Sequence, residues 1–573
     1  MAKQYFQDGE FDKAVIFYEK LVETNPRRTD YVEGLVACYQ QLERYGEAEA
    51  LLLEKLAEPS AFPTFFIELG YTYTLWGQPE KAGEPYEKAI QKINENPNLG
   101  FSVGHRFQKY ALLDHALRAY ARAMELRPEL NYTVQIARIY GEQGDIESMF
   151  RSYLDLIWEG KVSRSNVLRE INDFITADPT SKNNLLLRQL LLKNAQQNPD
   201  ILWNELLSWL FVQQKQYGSA FNQEKAIEKR MEGGSMDRLG SLGDLALEGG
   251  DPDTAREVFQ YMVDRSADPR TRLDAQLQLI DMELKGEVDG RSLDRVQGIF
   301  EELVAQYGIQ GQTLQLQMAY ANFLCFHREL PQPAIDMLKK SLEGPMPKVV
   351  EAHIKLALGD ILVYGQRFNE ALILFTQVQQ AMKNDVLGQN ARFKVAQTSF
   401  YKGDFDWALG QLKVLRGSTS QLMANDAMQL SLLISDNSLE DSTRTALKKY
   451  ARADLLAYQN KDAEAIALLE DILQNHKGES IEDEALLRQA QLWTDRKDYE
   501  SAEFNYRKIL EFHPYGILAD DAHFALGKLY RDFLGQPERA KDHFEKIVLE
   551  HPDSYHFPQA RTDFRRLRGD AIN

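Results

Sequence analysis

Five of the ten histidines lie near the end of the chain, and histidine is the side chain most often found in metal and acid–base sites. They are His513, His523, His543, His551 and His556. His543 and His551 are eight residues apart, whereas a helical zinc pair is spaced by four. His513 and His551 each precede a proline, at the same position of a repeated segment. The pattern therefore predicts no metal site, and we expect no cofactor.

Two further features contain residue types that can carry chemistry. The glycine-rich segment GSLGDLALEGGD, residues 240–251, lacks the Gly-Lys-Ser/Thr ending of a phosphate-binding loop. Cys38 and Cys325 fall inside apolar helical stripes, where buried and inert thiols are the usual case. No Gly-x-Ser-x-Gly nucleophile motif is present. We therefore expect no catalytic residue and no enzymatic activity.

The composition indicates a large folded protein with an acidic surface. The 573 residues are 44% hydrophobic and 27% charged, which favours a folded chain with a sizeable core over disorder. The formal net charge is −19, so we expect no nucleic-acid partner. No apolar run approaches the ~18 residues that a membrane span needs.

Small and aromatic residues recur in the N-terminal part with a nearly constant period. Alanines are spaced by 34 residues at Ala14, Ala48, Ala82 and Ala116. Aromatic residues recur on the preceding helix at Tyr5, Tyr39, Tyr73, Phe107 and Tyr140. Periods of 20–50 residues are typical of stacked supersecondary units.

The chemistry of one unit explains this period. FFIELGYTYTLWGQPEKAGEPYEKA, residues 65–89, contains two amphipathic helical patterns around Gly77 and Pro79. Gly70 and Ala82 allow the two helices to approach closely, and Tyr86 fills the space beside them. Gly77 suits the left-handed end of the first helix, and Pro79 suits the first turn of the second.

This pattern resembles the tetratricopeptide repeat (TPR), a 34-residue helix–turn–helix. After five N-terminal units, the match recurs around Ala220, Ala255, Ala334, Ala371, Ala408, Ala465, Ala502 and Ala540, which makes thirteen repeats. The resemblance implies an all-α fold, a right-handed TPR superhelix or α-solenoid of antiparallel helix pairs.

The period is interrupted in two places, where we expect irregular joints: near 160–200, which lacks the small-residue signature, and near 415–445, where one extra helix fits. The predicted organisation has four parts: a regular N-terminal array (1–160), a divergent array (161–285), a central array (286–415) and a C-terminal array of longer period with a capping helix (416–573).

In TPR proteins a partner commonly binds the concave face that the first helices form. The predicted protein-binding groove consists of Glu33, Ala37, Gln40, Gln41, Ile67, Tyr71, Thr74, Phe101, His105, Gln108, Arg138 and Glu142. Aromatic rings mixed with amides suit an extended or helical peptide. The alternative is that Tyr71 and Phe101 only pack against neighbouring units. No lysine occupies Glu33, Ala37 or Ile67, so a clamp for a C-terminal carboxylate is not expected.

Residues 340–570 resemble long TPR proteins of the bacterial cell envelope, of the Bacteroidota type. This resemblance implies a non-enzymatic scaffold for protein–protein interactions in the periplasm or at the outer membrane. The opening MAKQYFQ corresponds to the later turns of a repeat's first helix, so we expect that a leader preceded it. The alternatives are a polysaccharide- or peptidoglycan-associated envelope factor and a cytoplasmic TPR adaptor.

Overall fold

The computed structural model describes residues 1–58, 61–231, 236–286, 289–383, 385–415, 421–438 and 443–570. The chain divides into two compact units, Met1–Arg272 and Leu273–Asn573. The described residues form α-helices and two short 3-10 helices, with no strand among them, which confirms the all-α prediction. The predicted boundaries at 160, 285 and 415 divide the chain more finely and stay a prediction. None of the described helices is long and apolar enough to cross a membrane.

The first unit consists of short helices joined by tight turns. In chain order they are α1 (Ala2–Gln7), α2 (Phe11–Thr24), α3 (Thr29–Gln41), α4 (Tyr45–Leu56), α5 (Thr64–Leu75), α6 (Pro79–Glu95), α7 (Gly100–Lys109), α8 (Leu113–Leu126), α9 (Thr133–Glu142), α10 (Ile146–Trp158), α11 (Arg164–Asn172), α12 (Lys182–Gln197), α13 (Ile201–Gln213), α14 (Tyr217–Arg230), α15 (Asp237–Glu248) and α16 (Pro252–Arg265).

The second unit continues the same architecture, and α17 contains the boundary. Its helices are α17 (Pro269–Leu284), α18 (Gly290–Tyr307), α19 (Leu314–Phe326), α20 (Pro331–Ser341), α21 (Lys348–Tyr364), α22 (Phe368–Ala381), α23 (Val386–Lys402), α24 (Phe405–Leu415), α25 (Gln421–Asp436), α26 (Thr445–Tyr458), α27 (Asp462–Asn475), α28 (Ile481–Asp495), α29 (Tyr499–Phe512), α30 (Ala519–Asp532), α31 (Pro537–Glu550) and α32 (Phe557–Arg568).

In several helix pairs, close approach depends on a small residue that faces an aromatic ring. A Cβ atom on Gly70 of α5 would lie 2.4 Å from Cε1 of Tyr86 on α6. The same contact occurs between Gly359 and Phe375, where the distance would be 2.3 Å. Real Cβ contacts are longer than this, so a larger residue would push the two helices apart. The predicted role of Gly70 and Tyr86 is confirmed.

The turns inside the helix pairs share one backbone conformation. Gly77 has φ +75°, as predicted from the sequence. A residue with positive φ occupies the corresponding turn in thirteen pairs, which match the thirteen predicted repeats: Gly9, Glu43, Gly77, Ala111, Gly144, Lys215, Gly250, Glu329, Gln366, Gly403, Asn460, Lys497 and Gly535. The left-handed conformation costs a side-chain-bearing residue roughly 1 kcal/mol. The stack therefore tolerates this cost wherever the residue is not glycine.

The predicted irregular region at 160–200 contains a short helix, α11, and a longer one, α12. Both contact α10, and α12 also contacts α13. Asn184, which is fully buried, holds the loop between them, because its Nδ2 donates to the carbonyl oxygens of Thr176 and Asp178 at 2.7 Å each. A buried amide on α12 that bonds the preceding loop thus stands where a regular repeat has small-residue packing.

The predicted extra helix near 415–445 is α25, which contacts α23 and α24. The loops predicted on both sides of it fall largely at 416–420 and 439–442, outside the described residues. At the far end of the unit, α32 packs on α31 and buries Ala560. Asp563 of α32 is buried and forms a 2.7 Å ion pair with Arg531 of α30, so α32 caps this part of the stack.

Candidate protein-binding groove

The predicted groove residues lie on the first helices α3, α5, α7 and α9, but they differ in exposure. The exposed members are Gln41, Thr74, Phe101, His105, Arg138 and Glu142, and the half-buried ones are Glu33, Ala37, Tyr71 and Gln108. Ile67 is fully buried in the core, and Gln40 is buried with its Nε2 donating to Thr72 Oγ1 at 3.0 Å. Ile67 and Gln40 therefore offer no surface to a partner, which corrects their placement from the sequence.

An arginine joins three successive first helices across the floor of the groove. Arg106 on α7 forms ion pairs with Glu33 on α3, at 2.6 Å, and with Glu68 on α5. Glu68 is only 1% exposed, and both of its carboxylate oxygens accept hydrogen bonds from the Tyr110 hydroxyl at 2.7–2.8 Å. Burial raises the pKa of Glu68, and the Arg106 charge opposes that shift. The charged side chains of Arg106, Glu33 and Glu68 are therefore paired with one another within the protein.

The two aromatic residues predicted for the groove have different environments. Tyr71 stacks on Tyr110 of the next repeat, with 3.9 Å between ring centroids. This contact is the packing role that the sequence left open for Tyr71. Phe101 remains 48% exposed and lies parallel to the His105 ring at 5.6 Å. Of the two rings, Phe101 is therefore the one with surface available for a partner.

A cleft of about 420 Å³ lies between α7 and α9, and we call it the α7–α9 cleft. Phe101, His105, Gln108 and Lys109 line it from α7, and Gln135, Arg138 and Glu142 line it from α9. The residues of each helix recur at helical spacing, so they project from one face. Five of these seven lining residues belong to the predicted groove.

The polar groups in the cleft are only partly satisfied by one another. Gln108 Nε2 donates to Glu142 Oε1 at 2.8 Å, and Arg138 forms a two-bond contact with Glu170 at 2.6 and 2.9 Å. Gln135 Oε1 is buried and has no hydrogen-bond partner among the described residues. A buried acceptor without a partner costs roughly 1–3 kcal/mol.

Sequence reasoning missed four residues of this region. Lys109 and Gln135 line the cleft, and helical spacing could have found them, because they lie four residues after His105 and three before Arg138. No local sequence pattern indicates that Glu68 and Arg106 form an ion pair. They meet across 38 residues of chain, and only the stacking of the repeats brings them together.

In the second unit, the C-terminal end of α26 and the two residues after it reach the first helices α19 and α21, and α26 also contacts α23. The Tyr458 hydroxyl donates to the Asp360 carbonyl at 3.2 Å, and Gln459 Nε2 donates to the Tyr364 carbonyl at 2.6 Å. Asn460 Nδ2 donates to the Phe326 carbonyl at 2.8 Å. We call these three bonds the α26 contact.

A smaller cavity of about 350 Å³ remains beside the α26 contact, between α19, α21, α23 and Tyr458. Inside it, Lys394 Nζ donates to both carboxylate oxygens of Asp360 at 2.7 and 2.9 Å. Burial raises the pKa of Asp360, and the Lys394 charge opposes that shift. This ion pair is therefore satisfied within the unit.

The histidine and cysteine side chains form contacts of their own. His523 Nδ1 and His543 Nδ1 are 2.8 Å apart, and burial lowers the pKa of each to about 4, so the pair is neutral near pH 7. No group of three His, Cys, Asp or Glu residues suited to a metal ion occurs in the described part of the chain. Cys38 and Cys325 are buried and free, and burial raises the pKa of Cys38 to about 11. The Cys38 thiol is therefore protonated at neutral pH.

Curated relatives match this chain only weakly and in part. The general transcriptional corepressor trfA of Dictyostelium discoideum is 23% identical over 130 residues, which are 22% of this chain and 9% of that protein. The protein O-mannosyl-transferase TMTC1 of Homo sapiens is 21% identical over 173 residues, which are 29% of this chain and 20% of that protein. The matches thus span a fifth or less of these relatives.

Solved helical structures are similar along most of their length, but at low scores. Naa15/Naa10 bound to HypK-THB has a TM-score of 0.34 at 12% identity, and the match covers 99% of this chain and 85% of that one. Yeast Tom70 has a TM-score of 0.28 at 13% identity, and the match covers 98% and 97% of the two chains. Scores of this size carry no argument about function.

Two family models match the C-terminal part of the chain. Both are described as the tetratricopeptide repeat, and they cover residues 450–517 and 521–554. These ranges cover most of the pairs α26–α27, α28–α29 and α30–α31. The chain therefore contains tetratricopeptide repeats, the architecture of scaffolds that bind other proteins.

Proposed function

We propose that this protein is a non-enzymatic scaffold that holds an extended segment of a partner protein in the α7–α9 cleft. The observation that carries the proposal is the half-exposed Phe101 ring in a cleft lined by amide and charged side chains. An extended peptide supplies backbone groups for the amides and side chains that can pack on the ring. Arg138, Lys109 and Glu142 provide both signs of charge at the rim.

Affinity capture from the native host with matched variants tests this proposal. Phe101→Ala removes the exposed ring, and Leu53→Ala is its control, because Leu53 on α4 is 49% exposed and lies away from the cleft. We expect partners that the wild type and Leu53→Ala retain to be lost with Phe101→Ala. Cross-linking from a photoreactive residue at position 105 should then join the partner to the cleft. Retention of every partner by Phe101→Ala would refute the proposal, and so would capture of glycan without protein.

We also propose that the scaffold works in the bacterial envelope, outside the cytoplasm. The support is the resemblance of residues 340–570 to envelope TPR proteins. Protease accessibility in the native host, with intact cells compared with cells whose outer membrane is permeabilised, tests the location. Digestion only after permeabilisation is expected. Protection until the inner membrane is broken would instead place the protein in the cytoplasm.

A further inference from the structure

A second cleft, of about 560 Å³, lies between α27 and α29 with α28 at its base. We call it the α27–α29 cleft. Because α27 and α29 are the second helices of their pairs, it opens on the face opposite to the one that the first helices form. It is therefore distinct from the α7–α9 cleft in both position and helix type.

Two buried amides build the floor of this cleft. Gln489 on α28 is 4% exposed, and its Oε1 accepts a hydrogen bond from Asn505 Nδ2 of α29 at 2.7 Å. Its Nε2 donates to the Ile466 carbonyl of α27 at 3.2 Å. These bonds connect three helices, so the floor is fixed before any ligand arrives.

Short side chains on one wall and aromatic rings on the other give the cleft its depth. Ala463 and Ala467 line it from α27, one helical turn apart. Trp493 and Phe504 line it from α28 and α29, and Phe504 is 59% exposed. An exposed aromatic face attracts a cation. Lys508 already uses this attraction, since its Nζ lies 4.5 Å from the Phe504 ring centroid.

The charge lining the cleft has one sign. Glu470 and Glu500 are its charged lining residues, and no lysine or arginine lines it. Glu470 accepts hydrogen bonds from Gln474 Nε2 at 2.9 Å and from Gln489 Nε2 at 3.4 Å, and neither carboxylate has an ion-pair partner among the described residues. Carboxylates, amide oxygens and aromatic faces are the groups that a guanidinium or ammonium ion prefers.

We infer that the α27–α29 cleft binds a basic side chain, arginine or lysine, of a partner polypeptide. The basis is charge complementarity: two carboxylates without an ion-pair partner among the described residues, and two aromatic rings, line a cleft with a polar floor. Its volume is within the range of ligand sites in proteins, so an arginine side chain and adjoining backbone fit inside. The net charge of −19 on the whole chain also attracts a basic segment before it docks.

Titration calorimetry on the full chain tests this inference with a defined probe, the peptide acetyl-Gly-Arg-Gly-Arg-Gly-amide. The same peptide with citrulline in place of arginine keeps the shape but removes the charge. The double variant Glu470→Gln/Glu500→Gln removes the two cleft carboxylates and keeps their size. Its control, Glu464→Gln/Glu511→Gln, removes the same charge from exposed positions of α27 and α29 outside the cleft.

We expect the cleft variant to bind the arginine peptide roughly tenfold more weakly, and the control variant to change affinity less than about twofold. Phe504→Ala, a change at an exposed position, should also weaken binding. Equal weakening by both double variants would show that net charge alone attracts the peptide. That result would overturn the inference, as would equal binding of the citrulline peptide or no binding of the arginine peptide by the wild type.

Discussion

The first helices of the two units present the same kind of face, yet the units use it differently. In the first unit, α3, α5, α7 and α9 follow a period of 33–34 residues, and the α7–α9 cleft stays open. In the second unit, the α26 contact joins the end of α26 to α19 and α21. In the first unit, where the period is regular, the cleft is open, whereas in the second unit, where α25 interrupts the period, a later repeat reaches the corresponding helices.

The largest expected effect tests whether the floor of the first unit's groove is structural. Glu68→Ala leaves Arg106 and the Tyr110 hydroxyl without their buried carboxylate partner. Arg106 keeps Glu33 as a partner, so we expect a loss of about 3 kcal/mol in the free energy of unfolding, from the broken Arg106–Glu68 pair and the unsatisfied Tyr110 hydroxyl. Urea unfolding of the full chain, with hydrogen exchange in α5 and α7, measures it.

The control for this change is Glu170→Ala. Glu170 pairs with Arg138, whose side chain is 51% exposed, so we expect less than about 1 kcal/mol from its loss. If Glu68→Ala cost no more than Glu170→Ala, the Arg106 network would not hold the groove floor, and the contrast between the units would lose its basis.

As the pH is lowered, helices α30 and α31 at the end of the second unit should lose stability before the groove helices α5 and α7 of the first unit. The His523–His543 pair has pKa values of about 4 when folded, whereas an unfolded histidine titrates near 6.5. The unfolded chain therefore binds protons first as the pH falls, and stability drops between pH 6.5 and 4 by on the order of 2 kcal/mol. Above pH 6.5 this contribution is constant.

Hydrogen exchange in α30 and α31, compared with α5 and α7 at pH 7.0 and 5.0, measures the acid effect. His543→Asn removes one titrating group and keeps an amide beside His523, so the acid-induced increase should shrink. An unchanged increase in this variant would assign the acid sensitivity to other groups.

The next prediction concerns the stability that the α26 contact contributes to the second unit. Gln459→Ala removes the donor to the buried carbonyl of Tyr364, so we expect a loss of about 1–3 kcal/mol. Hydrogen exchange should rise in α26 and α21 and stay unchanged in the first unit. Gln474→Ala, at an exposed position on α27, is the control. A change confined to global stability, without local opening of α26, would contradict its role in joining α26 to α21.

The smallest expected effect concerns the turns, in which the units should behave alike. Ala111 has φ +55°, so Ala111→Gly relieves a left-handed alanine and should stabilise the chain by about 0.5–1 kcal/mol. Gly403→Ala, at φ +88° in the second unit, should destabilise it by about 1 kcal/mol. Thermal unfolding of both variants checks the two signs. Two shifts of the same sign would contradict a shared turn geometry.

Much of the fold could be predicted because its signals are local. Gly70, Gly77 and Tyr86 act within one repeat, and their spacing along the sequence determines which atoms meet. The groove was predicted less completely. Phe101 and His105 lie at the cleft as expected, whereas Ile67 turned inward and its neighbour Glu68 became the buried partner of Arg106. Ile67 and Glu68 are neighbours on α5, so a small change in the rotation of this helix decides which of them faces the groove. The repeat pattern does not predict that rotation.

The sequence by itself determined the helix pairs, their left-handed turns and the two places where the period fails, because each depends on residues within about one repeat. Only the tertiary structure decided which groove stays open and where charge is left unpaired. The Asn460–Phe326 bond spans 134 residues, and the α27–α29 cleft joins side chains from three helices. Such contacts depend on small rotations between successive repeats, which accumulate along the stack and leave no local pattern in the sequence.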